Sequence, residues 1–189
     1  MTELQKAKQV HYFNVLDVDG DGRVEKQDFL DVADRLADMR GYDDGSSKHS
    51  NVRRELLRMW TNARALSGAE DKTHITLEDW LAHEREVLDS NVLIHSYVQG
   101  IAQVIFDILD ADSDGVISEN EYRSFFRAFR GDADGADRAF QKLDVEGTGS
   151  LPRDTFLELV TEFHLSDDPD APGNWLFGAY EEAGSSPQG

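Results

Sequence analysis

The sequence predicts an all-α chain in which four helix–loop–helix units form two pairs packed into one compact globule. Apolar residues recur at helical spacing through most of the 189 residues. Two of the intervening loops, Asp17 to Asp28 and Asp110 to Glu121, repeat one pattern of oxygen donors, glycine and a buried-type aliphatic residue. Two further loops, Gly68 to Asp79 and Asp144 to Thr155, keep the aliphatic residue at its place while losing donors. The expected division is an N-terminal pair over residues 1–90, a C-terminal pair over 91–165 and a tail over 166–189.

The first helix is expected from about Thr2 to Leu16, with Leu4, Ala7, Val10, Phe13 and Leu16 inward. The helix after the first loop carries Phe29, Val32, Leu36 and Met39 and ends near Gly41, a suitable left-handed cap. Residues 41–50 read as a polar loop. Val52, Leu56, Trp60 and Ala63 mark a third helix, and Leu77, Trp80, Leu81, Val87 and Leu88 a fourth. Asn91 to Leu109 is a long helix carrying Ile94, Tyr97, Val98, Ile101, Ile105 and Ile108, and Tyr122, Phe125, Phe126 and Phe129 continue the pattern beyond its loop. GDADGA at 131–136 mimics a metal loop but has Leu143 twelve residues from Asp132, so it reads as a turn and helix N-cap. The seventh helix carries Ala136, Ala139, Phe140 and Leu143, and the eighth Phe156, Leu159, Val160 and Phe163. In the tail, Trp175, Leu176, Phe177 and Tyr180 read as packed on the core, with the end from about Glu181 disordered.

DADSDGVISENE, residues 110–121, puts oxygens at positions one, three, five and nine (Asp110, Asp112, Asp114, Ser118), glycine at six (Gly115) and glutamate at twelve (Glu121). This is the spacing of the EF-hand calcium loop. Ca²⁺ takes six to eight hard oxygen ligands, so a short loop must supply carboxylates, the Val116 carbonyl at seven and a bidentate closing carboxylate. DVDGDGRVEKQD, residues 17–28, repeats the pattern with Asp17, Asp19, Asp21, the Arg23 carbonyl and Asp28. Its closing aspartate is one methylene short. Mg²⁺ prefers six ligands at shorter distance, so Mg²⁺ is expected to compete with Ca²⁺ here above all. In the fourth loop Asp144, Glu146, Thr148 and Ser150 are candidate donors, but Thr155 stands where the bidentate carboxylate belongs. The second loop reads as vestigial, with Gly68 at one and Lys72 at five. Its expected role is structural, placing Ile75 beside Val24 as Leu151 is placed beside Ile117.

Net charge is −19 from 38 acidic and 19 basic residues. Such a field disfavours nucleic acid and anionic membrane surfaces and favours cations. There is no cysteine, so neither a disulfide framework nor thiol chemistry is expected. The first residues are too polar for a signal peptide, and no apolar run is long enough for a membrane span. The expectation is a cytoplasmic monomer.

Together these features resemble the sarcoplasmic calcium-binding proteins, and especially their bacterial calerythrin-like members. The resemblance covers nearly the whole chain: four hands with a degenerate second, a long first interval, an aspartate at the end of the first loop (Asp28) and a tail containing NWLFG. It implies that the two pairs pack face to face around one shared core. It also implies metal ligation at the residues named for the loops 17–28 and 110–121, and calcium in the fourth loop, which Thr155 opposes.

Two roles follow. A buffer or transporter would exchange Ca²⁺ for Mg²⁺ without a protein target. A sensor would expose an adaptable, Met-rich apolar groove to a protein partner. Only three methionines occur, while aromatic residues are numerous, which favours the buffer. The six histidines form no HExxH motif, and no phosphate loop or nucleophile elbow is present, so no enzymatic activity is expected. By fold analogy with coelenterazine-binding photoproteins, His164, Trp175 and Tyr180 could line a cavity, although core and surface roles suit them better.

Overall fold

In the computed structural model every loop of the sequence pattern lies between two helices and ends in a short strand. Residues 1–89, 91–130 and 134–179 are described, and of Leu66, residues 91–97, Ile101, Arg130 and Asp134 the backbone only. Among these residues the order is α1 (Glu3–Leu16), β1 (Arg23–Glu25), α2 (Lys26–Met39), α3 (Ser47–Leu66), β2 (His74–Thr76) and α4 (Leu77–Asp89). It continues with α5 (Asn91–Leu109), β3 (Val116–Ser118), α6 (Glu119–Arg130), α7 (Asp134–Leu143), β4 (Ser150–Pro152), α8 (Arg153–Leu165) and a 3-10 turn at Pro172–Trp175.

Strand β1 pairs antiparallel with β2, Val24 opposite Ile75, and β3 pairs with β4, Ile117 opposite Leu151. These four aliphatic side chains are buried. Each bridge therefore follows from burial: an unpaired loop would leave its apolar eighth residue in water. Helix α1 starts in a capping box, Thr2 Oγ1 accepting from Gln5 N at 3.2 Å and Gln5 Oε1 from Thr2 N at 2.9 Å. Helix α2 ends at Gly41, whose φ of 66° lets Gly41 N reach Asp38 O and Tyr42 N reach Ala37 O, both at 3.0 Å.

One continuous apolar cluster runs through both pairs. Helix α1 packs on α4 and α8, α2 on α6, and α4 on α5, which joins the pairs face to face. Tyr12 sits at the junction, stacked on Phe177 at 3.9 Å between ring centroids and edge-on to Trp80 at 5.4 Å and Phe163 at 5.8 Å.

Three expectations need correction. On α1 the buried residues are Lys8, Gln9, Tyr12, Phe13, Val15 and Leu16, while Leu4, Ala7 and Val10 are half-buried. The cause is covering from two sides, with polar inward groups satisfied: Lys8 Nζ donates to Ser166 O (2.9 Å), Glu162 O (3.2 Å) and Asn174 Oδ1 (2.9 Å). Trp80 Nε1 donates to Gln9 Oε1 at 3.1 Å, and Gln9 Nε2 lies 3.1 Å from His164 Nδ1. Met39 is 44% exposed, because Arg40, four residues after Leu36, takes the inward place at the end of α2. The polar loop after Gly41 is shorter than expected, since Ser46 caps α3 by accepting from His49 N at 3.1 Å.

The tail lies against α8 and α7, and Tyr122 of α6 bonds to it. A Cβ on Gly173 would stand 2.4 Å from Leu159 O, so only glycine permits this approach. Tyr122 Oη donates to Leu176 O at 3.0 Å, and His11 Nε2 donates to Phe177 O at 2.9 Å. Leu176 and Phe177 are buried and Trp175 half-buried. Tyr180, the end from Glu181 and the turn at 131–133 lie outside the described residues.

Candidate metal centre

The first and third loops each gather three aspartates at the end of an entering helix. One carboxylate oxygen from each of Asp17, Asp19 and Asp21 lies within 4.8 Å of the others, and Asp110, Asp112 and Asp114 form the same group. Oxygens on opposite sides of a Ca²⁺ ion, at 2.3 to 2.6 Å from it, stand about 5 Å apart, so both groups suit such an ion. Asp17 and Asp110 are buried while the other four are exposed, leaving one open side.

Backbone N–H groups hold these carboxylates in place. Asp17 accepts from Gly20, Asp21 and Gly22 N at 2.9, 3.1 and 2.8 Å. Asp110 accepts from Asp114 and Gly115 N at 3.1 Å. The chain can curl so tightly because position four adopts a left-handed φ in both loops, 73° at Gly20 and 62° at Ser113. Arg23 and Val116, the residues expected to offer carbonyls, begin β1 and β3 opposite Thr76 and Pro152.

The closing carboxylates stand outside the two groups of three. Asp28 accepts from Val18 N (3.1 Å) and Glu25 N (2.6 Å), and Glu121 from Ala111 N (2.7 Å) and Ser118 N (2.9 Å). Each thus ties the second residue of its loop to the ninth. Ser118 Oγ donates to Glu121 at 2.7 Å. Burial pushes the Asp28 carboxyl up, its two backbone donors pull it down, and the neighbouring Asp19 and Asp17 push it further up. A divalent ion would relieve that repulsion.

The other two loops gather no such group of three among the described residues. In the second, Lys72 Nζ lies 2.5 Å from Asp79 Oδ1, and Asp79 Oδ2 accepts from Thr76 N and Oγ1 at 3.2 and 2.9 Å. The bond from Lys72 holds the Asp79 carboxyl below the usual carboxylate range. The lysine read as repelling an ion occupies the ion's electrostatic place. Its sequence signal was a cation at position five facing a carboxylate at twelve. In the fourth loop Asp144 accepts from Thr148 N (3.0 Å) and Gly149 N (2.7 Å), and Thr148 Oγ1 donates to Ser150 O at 2.9 Å. Asp144 and Glu146 join no group of three carboxylates among the described residues.

A family profile described as EF hand matches residues 10–33 and 101–126, the segments that hold the two aspartate groups. The chain is 26% identical over 168 residues to the luciferin-binding protein of Renilla reniformis, covering 86% of this chain and 87% of the relative. With calerythrin of Saccharopolyspora erythraea it shares 24% over 155 residues, 81% and 88% of the two chains. It spans 64% of the length of an uncharacterized calcium-binding protein of Caenorhabditis elegans, at 26% identity over 167 residues. Among solved structures, a calcium-loaded coelenterazine-binding protein of Renilla muelleri superposes with a TM-score of 0.78 at 25% identity, covering 94% of this chain and 99% of that one. A sarcoplasmic calcium-binding protein of amphioxus superposes with a TM-score of 0.67 at 19% identity, covering 96% and 100%, a likeness of fold.

Proposed function

Because the chain is an EF-hand protein that has calerythrin among its relatives and shares the fold of a sarcoplasmic calcium-binding protein, we infer that it binds calcium and acts as an intracellular Ca²⁺ buffer or transporter. The observation that carries this reading is the pair of three-aspartate groups with oxygens within 4.8 Å. Ca²⁺ would be held by Asp17, Asp19, Asp21, the Arg23 carbonyl and Asp28, and by Asp110, Asp112, Asp114, the Val116 carbonyl and Glu121. The ion is the cargo; the chain's work is to present oxygens, neutralise their repulsion on binding, and release the ion in exchange for Mg²⁺. The second loop takes no ion. The fourth contributes weakly through Asp144, Glu146, Thr148 and Ser150, since ligand charge sets affinity.

Buffering is favoured over sensing by the distribution of apolar surface. Among the large apolar residues described, Met39 and Val145 are the exposed ones, and the core between the pairs is filled by stiff aromatic rings. The test is fluorescence of a hydrophobic-surface dye with the protein in Mg²⁺, before and after saturating Ca²⁺. No change or a fall supports the buffer. A clear rise shows that calcium uncovers apolar surface and turns the reading to a sensor with a protein target.

The Renilla relatives bring a second reading, carriage of an aromatic guest in the core. Its support is the buried polar set of Gln9, Trp80, Glu84 and His164, in which His164 Nδ1 lies 3.5 Å from Glu84 Oε2. Those groups already contact one another in a chain from Trp80 through Gln9 and His164 to Glu84, so a polar network within the core is the preferred account. Visible absorbance in the purified protein would revive the guest.

A further inference from the structure

Helix α2 has a different ion site at each end. Near its first turn stands Asp28, the closing residue of the first loop, which ties Val18 to Glu25 through their N–H groups. Its C-cap is Arg40. Arg40 Nη2 donates to Ile108 O at 2.6 Å and lies 3.4 Å from Leu109 O, on the last turn of α5 and directly before Asp110. These are carbonyls that a helix C-terminus leaves without intrahelical partners and where its dipole is negative, so a guanidinium is well placed there. Burial pulls the Arg40 pKa down from its usual value, and Tyr42 and Glu121, the latter the closing carboxylate of the third loop, act against that shift. Midway along the helix, Arg35 Nη1 donates to Ala128 O on α6 at 3.3 Å. The exit helix of the first hand is thus fastened at two points to both helices of the third.

We propose that α2 is a strut linking the two ion sites, with Arg40 as the positioning residue through which the first loop acts on the third. The proposal rests on the reading that both loops hold Ca²⁺. A helix of 14 residues is a rigid rod about 20 Å long, so a change of angle at its first turn is delivered at its last. Filling the first loop fixes Asp28 and with it the direction of α2. That direction decides how well the guanidinium meets the carbonyls of residues 108 and 109, which set the position of Asp110. Coupling of this kind needs an element with contacts at both sites, and α2 has them.

The two sites can be read separately through the sixth residue of each loop, because Gly22 N donates to Asp17 Oδ2 at 2.8 Å and Gly115 N to Asp110 Oδ2 at 3.1 Å. Ca²⁺ titrations followed by the amide resonances of these glycines are made on the full chain, on Asp19→Ala/Asp21→Ala, on Arg40→Met and on the combination. With the first loop disabled, the Gly115 midpoint is expected to move to about five-fold higher calcium when Arg40 is present. It is expected to move less than two-fold when Arg40 is methionine. An unmoved Gly115 midpoint with Arg40 present, or an equal movement without it, overturns the proposal. If Arg40→Met does not fold, Arg40→Lys keeps the charge but not the planar fork and is expected to lose at least half of the shift; an undiminished shift there also overturns it. Should neither glycine respond to calcium, it is the calcium-binding reading that fails.

Discussion

Lys72 Nζ lies 2.5 Å from Asp79 Oδ1, so the second loop carries its own cation on a covalent tether. The first and third loops present aspartates, Asp21 and Asp114, at the same position five. The contrast explains how β2 can stand ready beside β1 whether or not an ion is present.

Replacing Lys72 by methionine leaves Asp79 without its counter-charge. The pair is partly exposed, with Lys72 at 48% and Asp79 at 17%, so a loss of at most about 1 kcal/mol is expected in denaturant unfolding. Because the Asp79 carboxyl is held below the usual carboxylate range, the contribution is present above that range. It disappears as the pH falls through the lower folded value. Hydrogen exchange at Val24 N, in the paired strand, is expected to quicken.

Asp28→Glu lengthens the closing side chain of the first loop by one methylene. Selectivity there is expected to move towards Ca²⁺, seen as weaker Mg²⁺ competition in calorimetric titration while the third loop is unchanged. Unaltered competition would show that the shorter carboxylate does not set the preference.

Gly173→Ala would drive a methyl group into α8, its Cβ 2.4 Å from Leu159 O and 2.6 Å from Glu162 Cβ. Backbone cannot yield as a side-chain end can, so a loss of about 2 kcal/mol and a lower melting temperature are expected. Calcium affinity should change little, since Gly173 packs on α8, away from both aspartate groups.

Lys8 gives a pH signature. Burial lowers its pKa from 10.5 to about 8. Between those values the unfolded chain binds a proton that the folded one does not, so stability contributed at this site rises with pH. Measured against Lys8→Met, which cancels other titrations, the native protein is expected to gain about 2 kcal/mol between pH 8 and pH 10. At neutral pH the variant should still be the less stable, because the Ser166 and Glu162 carbonyls and Asn174 lose their donor.

The loops were readable because the EF-hand pattern sets residue type at fixed spacing, and the pairing of Val24 with Ile75 and Ile117 with Leu151 followed from counting to position eight. Helices α7 and α8 were readable for a related reason, one clean apolar stripe each. Helix α1 was not, since apolar periodicity gives no weight to a lysine and a glutamine that find buried partners more than 150 residues away. Nor could spacing show that Met39 would face water and Arg40 the third hand, a choice made by what α2 packs against. The tether from Lys72 to Asp79 was visible as two residues and invisible as a bond.

The contact of Lys8 with Asn174 closes a span of 166 residues, and the stacking of Tyr12 on Phe177 lies beside it. A chain leaving the ribosome has its first helix long before either partner exists. That helix must wait, with its buried lysine and tyrosine still in water, until residues 174–177 have emerged. Completion of the core is therefore a late step in folding, and a chain cut before Gly173 would leave Lys8 and Tyr12 without these partners.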